Sequence, residues 1–247
     1  MNTAEYETMF RVEEKHWWYG ALHRLLFQAL QRAMPDWRER RVLDAGCGTG
    51  AVLSRLGNPA TNLGIDVSDE ALRFCRQRGL NNVMKGDVMS PPFADESFDA
   101  IICSSVLYHE WVPDVGRALA GLYRVLRPGG VLLLILPAFR FLHSAHDDAV
   151  MTARRFTRRE TRSLLLAAGY EIERLTYWTS LLFPFAVAAR TLRGSREGRD
   201  FNSGALANAA FGSVMTVERV LLRIVSMPAG VALLAVARKP VTAPGGR

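Results

Sequence analysis

The chain has 247 residues, of which 49% are hydrophobic and 22% charged, enough for one α/β domain with a large core and without the bias of a disordered or fibrous protein. Its 31 Lys and Arg against 24 Asp and Glu leave a net charge of +7, which permits nucleic acid, anionic lipid or an anionic small substrate as partner and selects none of them. The cysteines, Cys47, Cys75 and Cys103, form neither a C-x-x-C pair nor a zinc pattern, so a reduced, cytoplasmic setting is expected.

The opening MNTAEYETMF has no basic segment and no long apolar run, which argues against a signal peptide. No apolar run approaches the roughly 20 residues of a transmembrane helix. Residues 1–36 read as helical, with Tyr6, Phe10, Trp17, Trp18, Leu25 and Leu26 at approximately helical spacing and Pro35 with Asp36 as the breaker. The cluster from His16 to Tyr19 admits two readings, a helix packed on the domain edge or a lid that sets Trp18 and Tyr19 over a ligand.

Residues 42–50, VLDAGCGTG, read as a strand end running into a glycine-rich turn, with a helix starting at 51. Residues without a Cβ let a ligand approach the main chain closely. Gly46, Gly48 and Ala51 fit G-x-G-x-x-G/A, which keeps open a dinucleotide site, and also a turn that binds nothing. Asp44 weighs against the dinucleotide, because a carboxylate repels a pyrophosphate and pairs with an ammonium group. Here the sequence resembles motif I of the class I S-adenosylmethionine (SAM)-dependent methyltransferases, a strand followed by D-x-G-x-G-x-G. The resemblance implies SAM as cofactor, which carries an α-amino group, a sulfonium and no phosphate. Asp44 would then lie near its methionine end, in a turn made by Gly46, Cys47, Gly48 and Gly50.

Residues 62–66 read as a second strand ending in Asp66, 22 residues beyond Asp44, about the offset at which an acid chelates a ribose in doubly wound folds. Val67 is placed beside it in the site, and helix capping is the alternative role for Asp66. Ser68 and Asp69 open a helix at 70–78 that Gly79 closes. A short strand at 83–86 leads to Asp87, 21 residues further on. The resemblance implies that Asp87 meets the adenine amine while the backbone of Val88 serves the ring. A chance glycine turn would not predict the second and third acids.

A strand at 100–104 ends in Ser104, a further cofactor candidate, and runs into SSVLYHEW. His109 stands where side chains of such a sheet face the crevice, as a general base or substrate orienter; the alternative is a histidine that shapes the loop by bonding a backbone carbonyl. A helix at 114–126 and the turn RPGG lead to a fifth strand at 131–137, and this L-R-P-G-G-x-L pattern again resembles the family. The following stretch should overhang the acceptor side. It offers His146 as a second catalytic candidate, and Arg154 and Arg155 as a pair for a substrate phosphate or carboxylate. Arg158, Arg159 and Arg162 read as a solvated helix face behind the cap Thr157. No metal site is expected, although His143 and His146 stand beside Asp147 and Asp148.

Residues 170–178 read as a sixth strand, with Tyr177 a substrate-binding candidate, and 231–238 as the last. Between them an insertion at 179–229 holds two apolar segments, with Arg190, Arg193, Arg196 and Arg199 near the first. It reads either as helices that extend the core or form a dimer face, or as an amphipathic surface that admits a lipophilic acceptor or touches a membrane. Residues 239–247 read as a disordered tail.

The resulting expectation is a helical cap at 1–36 and a doubly wound, seven-stranded, mostly parallel α/β domain at 37–238. Its strand order and antiparallel last strand are implied by the resemblance. So is the activity, transfer of a methyl group from SAM; the placement of the loop after the fifth strand and of the insertion points to a small lipophilic acceptor with room for an anionic group, its greasy end supplied by Leu181, Leu182, Phe183 and Phe185, and leaves open whether oxygen, nitrogen or carbon is methylated. The rivals are a nucleotide-dependent oxidoreductase and a SAM-fold protein without catalysis that acts as a binding or membrane-associated module. No N-P-P-Y or D-P-P-Y follows the fourth strand, so no nucleic-acid partner is expected. A peripheral membrane contact stays open, and the oligomeric state has no signal in the sequence.

Overall fold

A computed structural model of the chain describes residues 3–58, 60–193 and 204–241. The side chains of Arg190, Arg193, Arg196 and Arg199 and residues 242–247 of the expected 239–247 tail lie outside what is described, whereas Lys239 is ordered against the sheet, buried, with its N donating to Gly130 O at 2.9 Å and its Nζ to Leu126 O at 2.8 Å. Seven strands form one sheet: β1 (Val42–Ala45), β2 (Leu63–Asp66), β3 (Val83–Lys85), β4 (Phe98–Ser104), β5 (Leu126–Pro137), β6 (Glu171–Trp178) and β7 (Ala232–Arg238). Their order is β3-β2-β1-β4-β5-β7-β6. The first five are parallel, and β7 runs antiparallel to both β5 and β6.

The central strands are apolar on both sides, as a parallel sheet covered on two faces requires. Alternation then sorts their side chains by face. Leu43, Ile101, Leu132 and Leu134 share one core with α5 (Val115–Val125) and α7 (Arg158–Ala167). Val42, Ile102, Leu133 and Ile135 share the other with Leu22, Leu25, Leu26 and Leu30 of α2 (Trp17–Ala33). From β1 the chain winds outward to β2 and β3 on one side and to β4 and β5 on the other. At such a switch point the carboxyl ends of β1 and β4 part and leave a crevice.

The expected elements appear with shifted ends. The second strand starts at Leu63 because Asn62 is fully buried as a brace: its Oδ1 accepts from Val42 N at 3.1 Å and its Nδ2 donates to Gly57 O at 2.8 Å. The N-terminal run divides into α1 (Thr3–Val12) and α2. The first of these lies on α4 (Asp69–Gln77), with the Phe10 and Phe74 rings 5.0 Å apart.

The insertion forms α8 (Phe183–Arg193) and α9 (Ala205–Leu221). Helix α9 packs on α2, with Trp17 against Phe211 at 5.2 Å and Met215 buried in the core below; α2 is thus an inner layer between the sheet and α9. Fully buried Glu218 fastens this arrangement, accepting from Ser180 N at 2.9 Å and Leu181 N at 3.0 Å. No helix among the described residues is long and apolar enough to cross a membrane.

Removing the Glu218 carboxylate strands two amides at the exit of β6. Glu218→Ala should lower the free energy of unfolding by about 1–3 kcal/mol, read as a lower urea midpoint at unchanged slope. An unaltered midpoint would mean that these bonds do not hold the insertion.

Candidate active site

β1 delivers Asp44 into the sheet, 2% exposed, and the chain then turns sharply through Gly46, Gly48 and Gly50, at φ of 81°, 54° and 85°. A Cβ on Gly46 would stand 2.3 Å from a methyl of Val106, and one on Gly50 would stand 2.5 Å from Leu80, so neither position tolerates a side chain. The amides of Gly46 and Cys47 donate to Ile65 O at 2.8 and 2.9 Å, which fixes the turn against β2. Cys47 and Cys75 pack behind it as free thiols, their sulfurs 3.9 Å apart.

Asp66 caps the turn as well as ending β2. Its Oδ2 accepts from Gly48 N and its Oδ1 from Ser68 N, both at 2.9 Å. Each oxygen keeps a second lone pair, so capping and ligand binding are compatible. Asp87 accepts from Met89 N at 2.8 Å in the bend after β3. Asp44 differs: its Oδ2 is buried without a hydrogen-bond partner. Burial foremost, with the charges of Asp66 and Glu13 behind it, pushes its carboxyl up to about 7. Burial also raises the carboxyl of Asp66, against the pull of the two amides.

These strand ends open into one cavity, to which Asp44, Gly46, Cys47, Gly48, Asp66 and Val67 contribute, as do Asp87, Val88 and Ser104. Gly50 does not line it and instead starts α3 (Ala51–Leu56). The N-terminal helices cover it with Tyr6, Met9, Trp18, Tyr19, Leu22 and His23. Glu13, between α1 and α2, bonds Thr49 Oγ1 at 2.5 Å and pairs with Arg78, which in turn donates to Thr49 O at 3.0 Å. Glu13, Tyr6 and His23 carry no local signal in the sequence; they enter the site only because α1 and α2 fold back over the turn.

On the other side of β1 the wall is aromatic. Tyr108, His109, Trp111 and Val112 follow β4, and in the segment after β5 His146 comes from the short helix α6 (Ala145–Ala149) and Val150 from its end. The rings of His109 and Trp111 stack at 4.9 Å. Burial lowers the His109 imidazole to about 4, so it is neutral near pH 7, and its Nδ1 is buried without a hydrogen-bond partner. The two loops are tied together, with Glu110 N donating to Met151 O at 3.1 Å and Ala153 N to Tyr108 O at 2.9 Å.

The basic run is used differently from the expectation. Arg155 is buried and clasps Asp147 with Nε and Nη2, both bonds 3.0 Å, while Nη1 donates to Ala138 O at 2.9 Å. With its donors taken up by the fold, it serves as the pin of the loop after β5, not as a receptor for a substrate anion. Arg154 reaches Pro113 O at 3.3 Å on the outside. Tyr177 stacks on Phe139 at 5.0 Å and accepts from Arg158 N at 3.2 Å; none of the three lines the cavity. Nor do Leu181, Leu182, Phe183 and Phe185, since α8 sits over the 3-10 turn Arg140–Leu142 instead. Among the described residues no three His, Cys, Asp or Glu side chains gather into a metal-holding group.

The cavity is therefore divided by charge. Among the described residues five carboxylates, from Glu5, Glu13, Asp44, Asp66 and Asp87, line it without any Lys or Arg. Such a wall repels pyrophosphate and favours a cation.

A family profile described as a methyltransferase domain matches residues 43–134. A malonyl-[acyl-carrier protein] O-methyltransferase of Serratia marcescens is 34% identical over 186 residues, 68% of this chain and 71% of that protein. Another of that name from Pectobacterium atrosepticum is 37% identical over 46% of this chain and 45% of its own length. For a fatty-acid O-methyltransferase of Mycolicibacterium smegmatis the identity is 41%, over 41% of this chain and 38% of that protein. The chain thus spans less than half the length of these last two relatives. Among solved structures, a SAM-dependent methyltransferase from Thermotoga maritima shares the fold, with a TM-score of 0.59 and 23% identity over 96% of this chain and 95% of that one. The [4+2]-cyclase SpnF aligns with a TM-score of 0.52 and 26% identity over 82% and 75% of the two chains. With a relative 34% identical across two thirds of both proteins, and the family's glycine turn and successive strand-end acids around one acidic cavity, the chain belongs to the class I SAM-dependent methyltransferases, a family whose methyl donor is SAM.

Proposed function

We propose that the protein methylates an oxygen of a lipophilic acceptor, with SAM as donor. The observation that carries this reading is the divided cavity, in which five carboxylates and no Lys or Arg stand on one side and a neutral, largely aromatic wall on the other. The residues suit SAM: a buried carboxylate oxygen of Asp44 without a partner awaits a cation, and the turn beside it leaves no side chain in the way. The relatives named malonyl-[acyl-carrier protein] O-methyltransferase and fatty-acid O-methyltransferase support oxygen as the acceptor atom, and the second supports a lipid-related acceptor.

SAM when bound supplies an electrophilic methyl group on a sulfonium. Asp44 is assigned to the ammonium of its methionine part, Asp66 to the ribose hydroxyls, and Asp87 with the Val88 backbone to adenine. Cys47, Val67 and Ser104 form the walls between. Acidic groups placed at the reacting centre would stabilise the ground-state cation and oppose transfer. The neutral wall of Tyr108, His109 and Trp111 is where the acceptor belongs. There the rings, with Trp18 and Tyr19 from α2, exclude water and align the acceptor oxygen. His109, neutral and with a lone pair free of protein partners, takes the proton of a hydroxyl acceptor; a carboxylate acceptor needs no base. His146 orients the acceptor from the opposite loop.

Asp44 couples SAM binding to pH. Its carboxyl holds a proton up to about 7 in the free protein, whereas an ammonium partner requires the ionised form. Below about pH 7 the proton must be displaced, so affinity should fall toward tenfold per pH unit, and it should level off above. For the ligand-free fold the sign is opposite: an acid raised by folding loses stability as pH rises from its ordinary value of 3.8 to about 7, so the rise in Tm given by SAM should grow over that range. Calorimetry on wild type and Asp44→Asn across pH would show this, with weakened and pH-independent SAM binding in the variant. A flat wild-type profile removes the ammonium assignment.

Methyl transfer from labelled SAM should be measured with medium-chain fatty acids and with long-chain phenols and alcohols. Labelling of neither class sinks the lipophilic acceptor. His109→Gln should lower kcat on a hydroxyl acceptor by about 10²–10⁴ while leaving SAM affinity and a carboxylate acceptor nearly unchanged. Equal losses on both acceptor types would make His109 a packing residue.

A further inference from the structure

Basic residues absent from the acidic cavity are collected at the other end of α2. A groove of ≈ 1010 Å³ runs between α2 and the chain leaving α9, and it shares no residue with the cavity. Its floor includes the buried Leu25, Leu222, Leu234 and Val236. Its walls carry Arg24, Arg32, Arg38, Arg55, Arg219 and Arg223, and β6 adds Arg174. Glu173 is the one carboxylate in the lining, and it is already paired with Arg238.

Among the described residues none of the seven arginines has an ion-pair partner. Six of them are held instead by neutral acceptors, among them Arg32 by Arg223 O at 2.9 Å, Arg219 by Gln28 Oε1 at 3.0 Å and Arg38 by Gln31 Oε1 at 3.1 Å. The Nε atoms of Arg174 and Arg219 are buried without any partner. Like charges gathered over an apolar floor repel one another, and the arrangement is relieved by an anion. Guanidinium forks bind phosphate bidentately.

A second feature adjoins the groove. Val217, Val220, Leu221 and Ile224, at i, i+3, i+4 and i+7, are 56%, 47%, 39% and 83% exposed, and Val225 beside them is 46% exposed. Val217, Val220 and Leu221 form one stripe on the last turns of α9, and Ile224 follows in the turn just beyond its end, flanked by Arg219 and Arg223. An acidic protein surface would satisfy the arginines but would set its charges against an apolar floor and stripe. Lipid offers both chemistries at once, phosphate above hydrocarbon.

We propose that this groove and stripe form a docking surface for an anionic phospholipid bilayer, with headgroup phosphates among the arginines and Val217, Val220, Leu221 and Ile224 entering the acyl boundary. The proposal stands without the methyl-transfer reading. It adds a place of work, because α2 is one helix of 17 residues, about 25 Å long. Its N-terminal half lines the cavity and its C-terminal half, from Arg24 on, walls the groove, so docking would seat one half of the helix at the lipid surface and leave the cavity at the other.

Sedimentation of the full chain with phosphatidylcholine vesicles, with and without phosphatidylglycerol, tests this directly. Binding should require the anionic lipid, be reversed near 0.5 M salt, where the Debye length is about 4 Å, and weaken about tenfold or more in Arg24→Glu/Arg223→Glu and in Ile224→Glu. Unchanged SAM affinity and thermal midpoint in both variants would show that the fold persists. Equal binding to uncharged vesicles, or full binding by both variants, overturns the proposal. So does failure to bind vesicles while poly-glutamate or inorganic phosphate is bound, which would assign the groove to an acidic protein or a free anion.

Discussion

Asp44 sits where the central strand of a parallel sheet stops, buried to 2% exposure with one carboxylate oxygen unpartnered. An unpaired buried charge is costly, and the protein answers by holding the proton up to about 7. Much of the neighbourhood is arranged around that position. β1 must be flanked on both sides for its end to be sequestered, which the switch from β2 to β4 provides. The turn that follows must pass without side chains, because Val106 and Leu80 already fill the space at Gly46 and Gly50. A cation is the ligand that relieves the burden, and the further carboxylates around it leave little place for anything else.

Helix α2 connects the two halves of the chemistry. One side of it packs into the sheet through Leu22, Leu25, Leu26 and Leu30, while α9 covers another. Its N-terminal turns supply Trp18, Tyr19, Leu22 and His23 to the cavity and its C-terminal turns supply Arg24, Arg32 and apolar floor to the groove. Helix α2 therefore carries a carboxylate-lined cavity along one half and an arginine-lined groove along the other. Such a division has a physical logic: a cationic cofactor is drawn to one end and an anionic surface to the other, without competition between them.

The loop after β5 shows how tertiary contacts reassign a residue. By composition, Arg154 and Arg155 next to a substrate-side loop resemble an anion clamp. In the fold, Asp147 takes two donors of Arg155, and Ala138 O takes another. That buried pair sets His146 and Val150 against the loop after β4, so its contribution to the site is positional.

Local chemistry made much legible in the sequence itself. A strand that must be apolar on both faces, a turn that must lack Cβ atoms and an acid at each of three successive strand ends are local features, and they carried the family resemblance that implied the fold class and SAM and singled out Asp44, Asp66 and Asp87. Glu13, Tyr6 and His23 were illegible because they join the cavity through a cap that folds back across 20 or more intervening residues, Glu13 meeting Thr49 36 positions away. The partner of Arg155, the seating of α9 on α2 rather than over the cavity, and the gathering of Arg24, Arg55, Arg174 and Arg219 into one groove were likewise decided only by tertiary structure. Charges scattered over the sequence have no sign of a site until packing brings them within reach of one another, because electrostatic and hydrogen-bond interactions depend on distance in space and not along the chain.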